Sequence, residues 1–137
     1  MIGVMSKVLM NTVKRERRGP LNNRELADDL CADSPTLREL RRVHVQSFGT
    51  LIPHVFMGNV LEHVGHCLLK SLGGNPTNSA AEVGAIMSTL EGGMTTGDRE
   101  TRNVISISFA RDAELAPFFE LLRPFLGPKM MVQLQGK

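Results

Sequence analysis

Aromatic residues are scarce in this sequence. They account for 4% of the chain, and tryptophan and tyrosine are absent. The core must therefore be mainly aliphatic, with the six phenylalanines and several of the eight methionines filling the remaining space. Hydrophobic residues still reach 42%, close to ordinary globular usage. A chain of 137 residues with this composition is long enough to form one domain without a disulfide or a structural metal.

Cysteines and long apolar runs are also few. The two cysteines, Cys31 and Cys67, fall on predicted apolar helix faces. Free cysteine is usually buried, so we interpret both as core residues of a protein in a reducing compartment. No run of 18 apolar residues predicts a membrane span. The first basic cluster follows an apolar stretch, the reverse of a secretory signal, which indicates a cytoplasmic protein without a membrane partner.

Positively and negatively charged residues are nearly equal in number. The net charge is +2, and much of the excess lies in residues 14–18. This cluster is too weak and too local to favour nucleic acid, although an adaptor that binds nucleic acid through it is a minor alternative, expected to show steep salt dependence. We predict that residues 1–20 form a basic leader or peripheral helix and that residues 21–137 form a single all-helical domain.

The stretch from Leu51 to Leu72 organises the rest of the chain. Pro53 suits the first position of a helix, and nothing breaks the pattern before Gly73. At about 100° per residue, one face is apolar and the opposite face is polar. The predicted apolar face consists of Met57, Val60, Leu61, Val64, Cys67 and Leu68. This segment is predicted to be the central helix.

Local signals place two helices before it. Asn22 or Asn23 can cap the first helix, and Ser34 followed by Pro35 is typical of the start of the second. The predicted apolar edge of the second helix consists of Leu37, Leu40, Val43 and Val45.

Two more helices are predicted after the central one. Asn78 or Ser79 can cap a helix that Gly92-Gly93 ends, and Asp112 can cap another. The predicted core positions of this last helix are Leu115, Phe118, Phe119, Leu121 and Leu122.

The segment between them is ambiguous. Ile105, Ile107 and Phe109 alternate with serines, which is a strand pattern. Asp98, however, is a plausible helix start, and a lone strand would have no partner in the chain. We therefore predict a buried helix, and a final short helix over residues 129–135. The expected fold is an all-α, antiparallel bundle, or a short stack of helical hairpins, with six or seven helices.

Histidines on the central helix suggest a metal site as an alternative function. His66 and Cys67 follow His63 by three and four residues, so both are its neighbours on a helix. His63 with His66 or Cys67 could therefore supply two ligands to a zinc ion. Two ligands do not make a site, and a third would have to come from His44, His54 or Cys31. Solvent-exposed histidines, with His66 beside Glu62, are the simpler interpretation.

No catalytic site is predicted. Cys67 and His63 are helical neighbours, but a buried thiol without a basic partner is inert. Gly92 to Asp98 resembles a phosphate loop only superficially, because it lacks the spacing and the lysine of such loops. The sequence therefore assigns no catalytic, cofactor-binding or metal-binding residue.

The remaining possible function is recognition of a partner by the shape of the surface. Exposed arginines, with the loop over residues 73–79 and the acids Asp98, Glu100 and Glu114, could form the polar rim of a groove between helices. The partner-binding candidates are Arg38, Arg41, Arg42, His66 and Arg102.

Two segments carry a resemblance. Leu51-Ile52-Pro53-His54-Val55-Phe56-Met57-Gly58, and Gly97-Asp98-Arg99-Glu100 with Asn103-Val104-Ile105-Ser106, resemble a group of small, uncharacterised bacterial helical domains, over about residues 21 to 134. Similar small helical proteins serve as immunity proteins that neutralise a cognate toxin. The resemblance implies a bacterial origin and a protein-binding role more than an enzyme, and it assigns no catalytic residue. The main expectation is therefore an immunity or antitoxin-like inhibitor, and the alternative is a metal-binding or metal-sensing protein that uses His63 and His66.

Overall fold

The computed structural model describes residues 19–72 and 76–135, so nearly all of the predicted leader lies outside the described residues. The helices are α1 (Asn23–Asp33), α2 (Pro35–Phe48), α3 (Pro53–Leu72), α4 (Pro76–Thr96), α5 (residues 99–114), α6 (Phe119–Leu122, continued by a 3-10 turn, Arg123–Phe125) and α7 (Pro128–Gln135). The described residues contain no strand beyond an isolated bridge between Leu21 and Gly97. The predicted all-α bundle of six or seven helices is confirmed in this part of the chain.

Three helix starts follow the local signals. Asn22 caps α1 by accepting a hydrogen bond from the Glu25 amide, and the Glu25 side chain accepts one from the Asn22 amide. Ser34 caps α2, and Asp98 caps α5. Gly49 ends α2 in the left-handed conformation, with φ at 79°, where a side chain would be strained.

The core is one cluster that all seven helices contribute to or pack against. The predicted apolar face of α3 is buried along its whole length. The α3 helix packs most extensively against α4, and it also contacts α2 and α5. The α3–α4 pair is therefore the centre of the bundle, as predicted for the central helix. None of the helices in the described ranges is both long and apolar enough to cross a membrane.

The ambiguous segment is helical, with a local irregularity. Within α5, Arg99–Ile105 is α-helical, Ser106–Ala110 forms a π-helical turn, and Arg111–Glu114 returns to α-helix. The wider turn leaves Phe109 fully buried while Ile107 stays 43% exposed. The alternating pattern in the sequence thus reflects a helix that is apolar on more than one side.

The Gly92-Gly93 pair does not end α4. The helix begins at Pro76, before the predicted caps at Asn78 and Ser79, and continues through both glycines to Thr96. Gly93 is buried, and a Cβ at this position would lie 2.7 Å from Cδ1 of Ile105. This glycine permits close packing instead of forming a cap.

The helix predicted to begin at Asp112 is divided. Asp112 lies inside α5 instead of capping a helix, and the chain turns over residues 115–118. Leu115 is 79% exposed, so its prediction as a core residue is wrong, whereas Leu122 is fully buried. Pro117 falls in the turn, where its missing amide costs no helical hydrogen bond. In α2, Val43 and Val45 are likewise exposed, although Leu37 is buried.

Candidate functional site

Two grooves border α2. The α2–α3 groove has a volume of about 490 Å³, and its lining residues are Thr36, Leu40, Asn59, Glu62, His63, His66, Cys67 and Lys70. The second, which we name the charged groove, has a volume of about 730 Å³. Its lining residues are Asn22, Asn23, Arg24, Asp28, Arg41, Val45, Gly49, Thr50, Leu51, Pro53, Asp98 and Glu100. The two grooves share no lining residue.

A polar cluster that the sequence did not predict adjoins the α2–α3 groove. His63 and Cys67 lie one turn apart on α3, and Glu82 reaches them from α4. Nε2 of His63 lies 2.6 Å from Oε2 of Glu82 and 3.5 Å from Sγ of Cys67. The hydroxyl of Ser34, which also caps α2, donates a hydrogen bond of 2.5 Å to the same carboxylate oxygen. Three potential metal ligands thus converge, with their ligand atoms within 4.8 Å of one another.

Burial and hydrogen bonding change the acidity of this cluster. Burial raises the pKa of the Cys67 thiol to about 11, and the negative charge of Glu82 adds to the rise. Burial alone would also raise the pKa of Glu82. Hydrogen bonds from Ser34 and His63, with the positive charges of His63 and Lys70, outweigh that effect and lower it. At neutral pH the cluster therefore holds a protonated thiol beside an ionised carboxylate.

The cluster does not have the arrangement of a catalytic triad. In a triad, the nucleophile and the orienting carboxylate contact opposite nitrogens of the histidine ring. Here Cys67 and Glu82 both approach Nε2 of His63. A thiol with a raised pKa is also a poor nucleophile at neutral pH, because the thiolate is the reactive form. Convergence on one point is a geometry suited to holding a cation.

The third ligands considered from the sequence are all engaged elsewhere. Nε2 of His44 accepts a hydrogen bond from the Ile52 amide. Nδ1 of His54 pairs with the Ser108 hydroxyl, and the Cys31 thiol donates to the Leu37 carbonyl. These bonds place the three groups at separate helix junctions, and none belongs to the cluster.

His66 lies outside the cluster although it lines the same groove. Its side chain is 73% exposed, and its Nε2 is 3.9 Å from the Glu62 carboxylate, as the simpler interpretation predicted. The side chain of His63, in contrast, is only 13% exposed. The prediction that His63 is exposed to solvent is therefore wrong. The sequence found one ligand pair, His63 and Cys67, through their spacing of four. Glu82 carried no signal, because it lies 19 residues from His63 on another helix.

The charged groove brings together part of the predicted polar rim. Arg41, Asp98 and Glu100 line it together with the apolar residues Val45 and Leu51. Arg41 is held by a 2.5 Å ion pair with Asp28.

The remaining partner-binding candidates are spread over three places. Arg38 and Arg42 border a smaller depression that shares Arg41 and Val45 with the charged groove. His66 lies in the α2–α3 groove, and Arg102 is exposed on α5 but lines neither groove. The predicted loop contribution falls partly on residues 73–75, which lie outside the described residues.

Comparison of the sequence with protein-family models and curated proteins, and of the fold with solved structures, gives no match. These comparisons add nothing to the inference of function, which starts from the geometry of the two grooves.

Proposed function

We propose that this chain is a protein-binding module that recognises its partner through the charged groove. The observation that supports this most directly is a stripe along α2. Arg38, Arg41, Val45 and Phe48 follow one another at intervals of three or four residues, so they occupy one face of the helix. Phe48 is 53% exposed and Val45 is 37% exposed. Val45 lines the charged groove, and Phe48 lies one turn further along the same stripe.

The composition of this surface is typical of an interface. Protein interfaces combine an apolar centre with a polar rim, and aromatic and arginine side chains often supply most of the binding energy. Phe48 and Val45 offer the apolar centre. Arg24, Asp98 and Glu100 supply charges of both signs around the groove, which favour one orientation of the partner and raise the association rate.

We further propose that the partner is a protein whose active surface the module occludes, as in an immunity protein that inhibits a toxin. The resemblance of residues 21–134 to small bacterial helical domains supports this class. Inhibition by occlusion requires a rigid surface and no chemistry, and the Arg41–Asp28 pair joins two of the helices that form the groove, α1 and α2. The inhibitor would form a tight one-to-one complex.

The test compares two exposed valines. Val45→Asp places a charge in the apolar centre of the charged groove, whereas Val132→Asp places the same charge on α7, at a residue that is 65% exposed and lines neither groove. Tagged protein would be used to isolate the partner from source cells. Titration calorimetry with untagged protein would then measure the affinity and stoichiometry of the complex that each variant forms with the partner.

We expect Val45→Asp to weaken partner binding by at least tenfold, about 1.4 kcal/mol, because a carboxylate would lose its water in the complex. Val132→Asp should bind like the wild type. If both variants bind the partner equally well, the charged groove is not the contact surface. If no protein binds in one-to-one stoichiometry, the module has no protein partner of this kind.

A further inference from the structure

A second inference concerns the cluster of His63, Cys67 and Glu82, which has no part in the proposed protein interface. Metal ions in proteins are held by groups of this chemistry, and zinc in particular accepts thiolate, imidazole and carboxylate ligands together. The cluster lies at the junction of α3 and α4, the most extensively packed pair of helices. The ligand atoms are therefore fixed by the centre of the fold.

One ligand separation matches the coordination shell of zinc, and a second is too short by less than about 1 Å. Around a tetrahedral zinc ion, a histidine nitrogen at about 2.0 Å and a thiolate sulfur at about 2.3 Å lie roughly 3.5 Å apart. Nε2 of His63 and Sγ of Cys67 have this separation, 3.5 Å. The imidazole nitrogen and a carboxylate oxygen would lie roughly 3.3 Å apart in the same geometry. The observed 2.6 Å contact is a hydrogen bond, and Glu82 would have to move back by less than about 1 Å to admit the ion.

We propose that His63, Cys67 and Glu82 bind a zinc ion as a three-ligand site, whose fourth position faces the α2–α3 groove. A thiolate and a carboxylate together balance the charge of a divalent ion. Ser34 acts as a positioning residue, because its hydroxyl holds the Glu82 carboxylate in place. Lys70 lines the groove and opposes binding by its positive charge, but no ligand atom comes from it.

Proton release distinguishes this site from a purely structural ion pair. Zinc binds the thiolate form of cysteine, so the Cys67 thiol must lose its proton when the ion binds. Affinity should therefore rise as the pH is raised from 6 to 8. An ion pair that serves only to join the helices would bind no metal at any of these pH values.

The experiment uses untagged, metal-free full-length protein titrated with Co²⁺ and then with Zn²⁺. Cobalt bound to a thiolate gives a charge-transfer absorption in the near ultraviolet, which reports on Cys67 directly, and Zn²⁺ competition gives the zinc affinity. We expect one ion per chain. Cys67→Ser should remove the band, and His63→Gln and Glu82→Gln should each weaken binding by more than about tenfold. Ser34→Ala should weaken it by about 10–100-fold.

Two matched controls keep the test specific. His66→Gln changes an exposed histidine in the same groove, and Cys31→Ser changes the other buried thiol, so both should leave the affinity unchanged. Circular dichroism would show whether each variant folds. If Cys67→Ser does not fold, the His63→Gln and Glu82→Gln variants still test the site. A wild-type protein without the charge-transfer band overturns the proposal. A band that depends on Cys31 or on His66 instead of Glu82 overturns the assigned ligands.

The two proposals can fail separately. Val45→Asp alters the charged groove, whereas the zinc ligands line or adjoin the α2–α3 groove, and the two grooves have no residue in common. Metal binding in the Val45→Asp variant should equal that of the wild type.

Discussion

Glu82 is the residue on which the polar cluster depends. Its carboxylate accepts hydrogen bonds from Ser34, the cap residue of α2, and from His63 on α3, so one side chain of α4 is joined to the start of α2 and to α3. Its side chain is 25% exposed, and hydrogen bonds to a charged group in such a partly buried position are worth more than those on an open surface. The free energy of unfolding should therefore depend on its ionisation.

We expect Glu82→Gln to lower the free energy of unfolding by about 1.5 kcal/mol at pH 7, measured by urea denaturation with a metal chelator present. Because the folded state lowers the pKa of Glu82 below its ordinary value of 4.5, the unfolded chain binds the proton more readily. The carboxylate thus stabilises the fold above that pH, and its contribution disappears as the pH falls below it. The difference between the variant and the wild type should shrink between pH 6 and pH 3.

Glu62→Gln provides the control for this prediction. Glu62 also pairs with a histidine across one helical turn, but its side chain is 75% exposed and the distance is 3.9 Å. An exposed pair of this kind contributes little, so the variant should unfold within about 0.5 kcal/mol of the wild type at every pH. If Glu82→Gln and Glu62→Gln show the same pH profile, the buried network does not stabilise the bundle through the charge of Glu82.

At the scale of single helices, two glycines of α3 have opposite roles. Gly65 is buried, and a Cβ there would overlap the ring of Phe118, which folds over α3 from the start of α6. Gly58 is exposed, and nothing lies within 4 Å of the Cβ position. The first glycine permits close packing, while the second only weakens the helix through its backbone entropy.

Alanine at these two positions should therefore act in opposite directions. Gly58→Ala should raise the free energy of unfolding by about 0.5–1 kcal/mol, the usual difference in helix propensity. Gly65→Ala should lower it by about 1–3 kcal/mol, because overpacking outweighs the same gain in propensity. Thermal and urea unfolding of the two variants measures both effects. Stabilisation by Gly65→Ala would show that Phe118 can move aside without loss.

The contrast between local effects and tertiary packing also explains how far the helices could be predicted from the sequence. Helix starts are set by residues within four positions of each other, so Asn22 with Glu25, Ser34 with Pro35, and Asp98 were recognisable. Gly93 looked like a helix end, yet Leu26 and Ile105 pack against it from distant parts of the chain. Its φ is also not positive, unlike that of Gly49, so no left-handed cap forms.

The candidate site shows the same limit. The spacing of His63 and Cys67 was visible, because both belong to one helix. Glu82 and Ser34 come from other helices, and only the packing of α2, α3 and α4 reveals them. For the same reason, the exposure of Leu115 could not be predicted, because it depends on where the chain turns before α6. Local sequence patterns therefore predict the helices, whereas contacts between helices determine which side chains form the candidate site.

At the scale of the whole molecule, the C-terminal helix is attached by a cap from a distant residue. The two carboxylate oxygens of Glu91, on α4, accept hydrogen bonds from the amides of Lys129 and Met130, at 2.6 and 3.0 Å. These are among the first amides of α7, which have no partner within their own helix. Met130 is fully buried and anchors α7 to the core, while Val132 on the same helix faces solvent. Glu91 and Met130 together therefore fasten a short helix to the bundle.

We expect Glu91→Ala to release α7 without unfolding the remainder. Loss of a helix cap typically costs about 1 kcal/mol, so amides of α7 should exchange with solvent roughly five- to tenfold faster. Native-state hydrogen exchange would measure this, with the amides of α1 as an internal reference that should not change. Glu120→Ala is the control, because its side chain is 77% exposed and pairs only with Arg123 in the described structure. If exchange rises equally in α1 and α7, the bundle opens as a single unit, and the terminal helix has no separate stability.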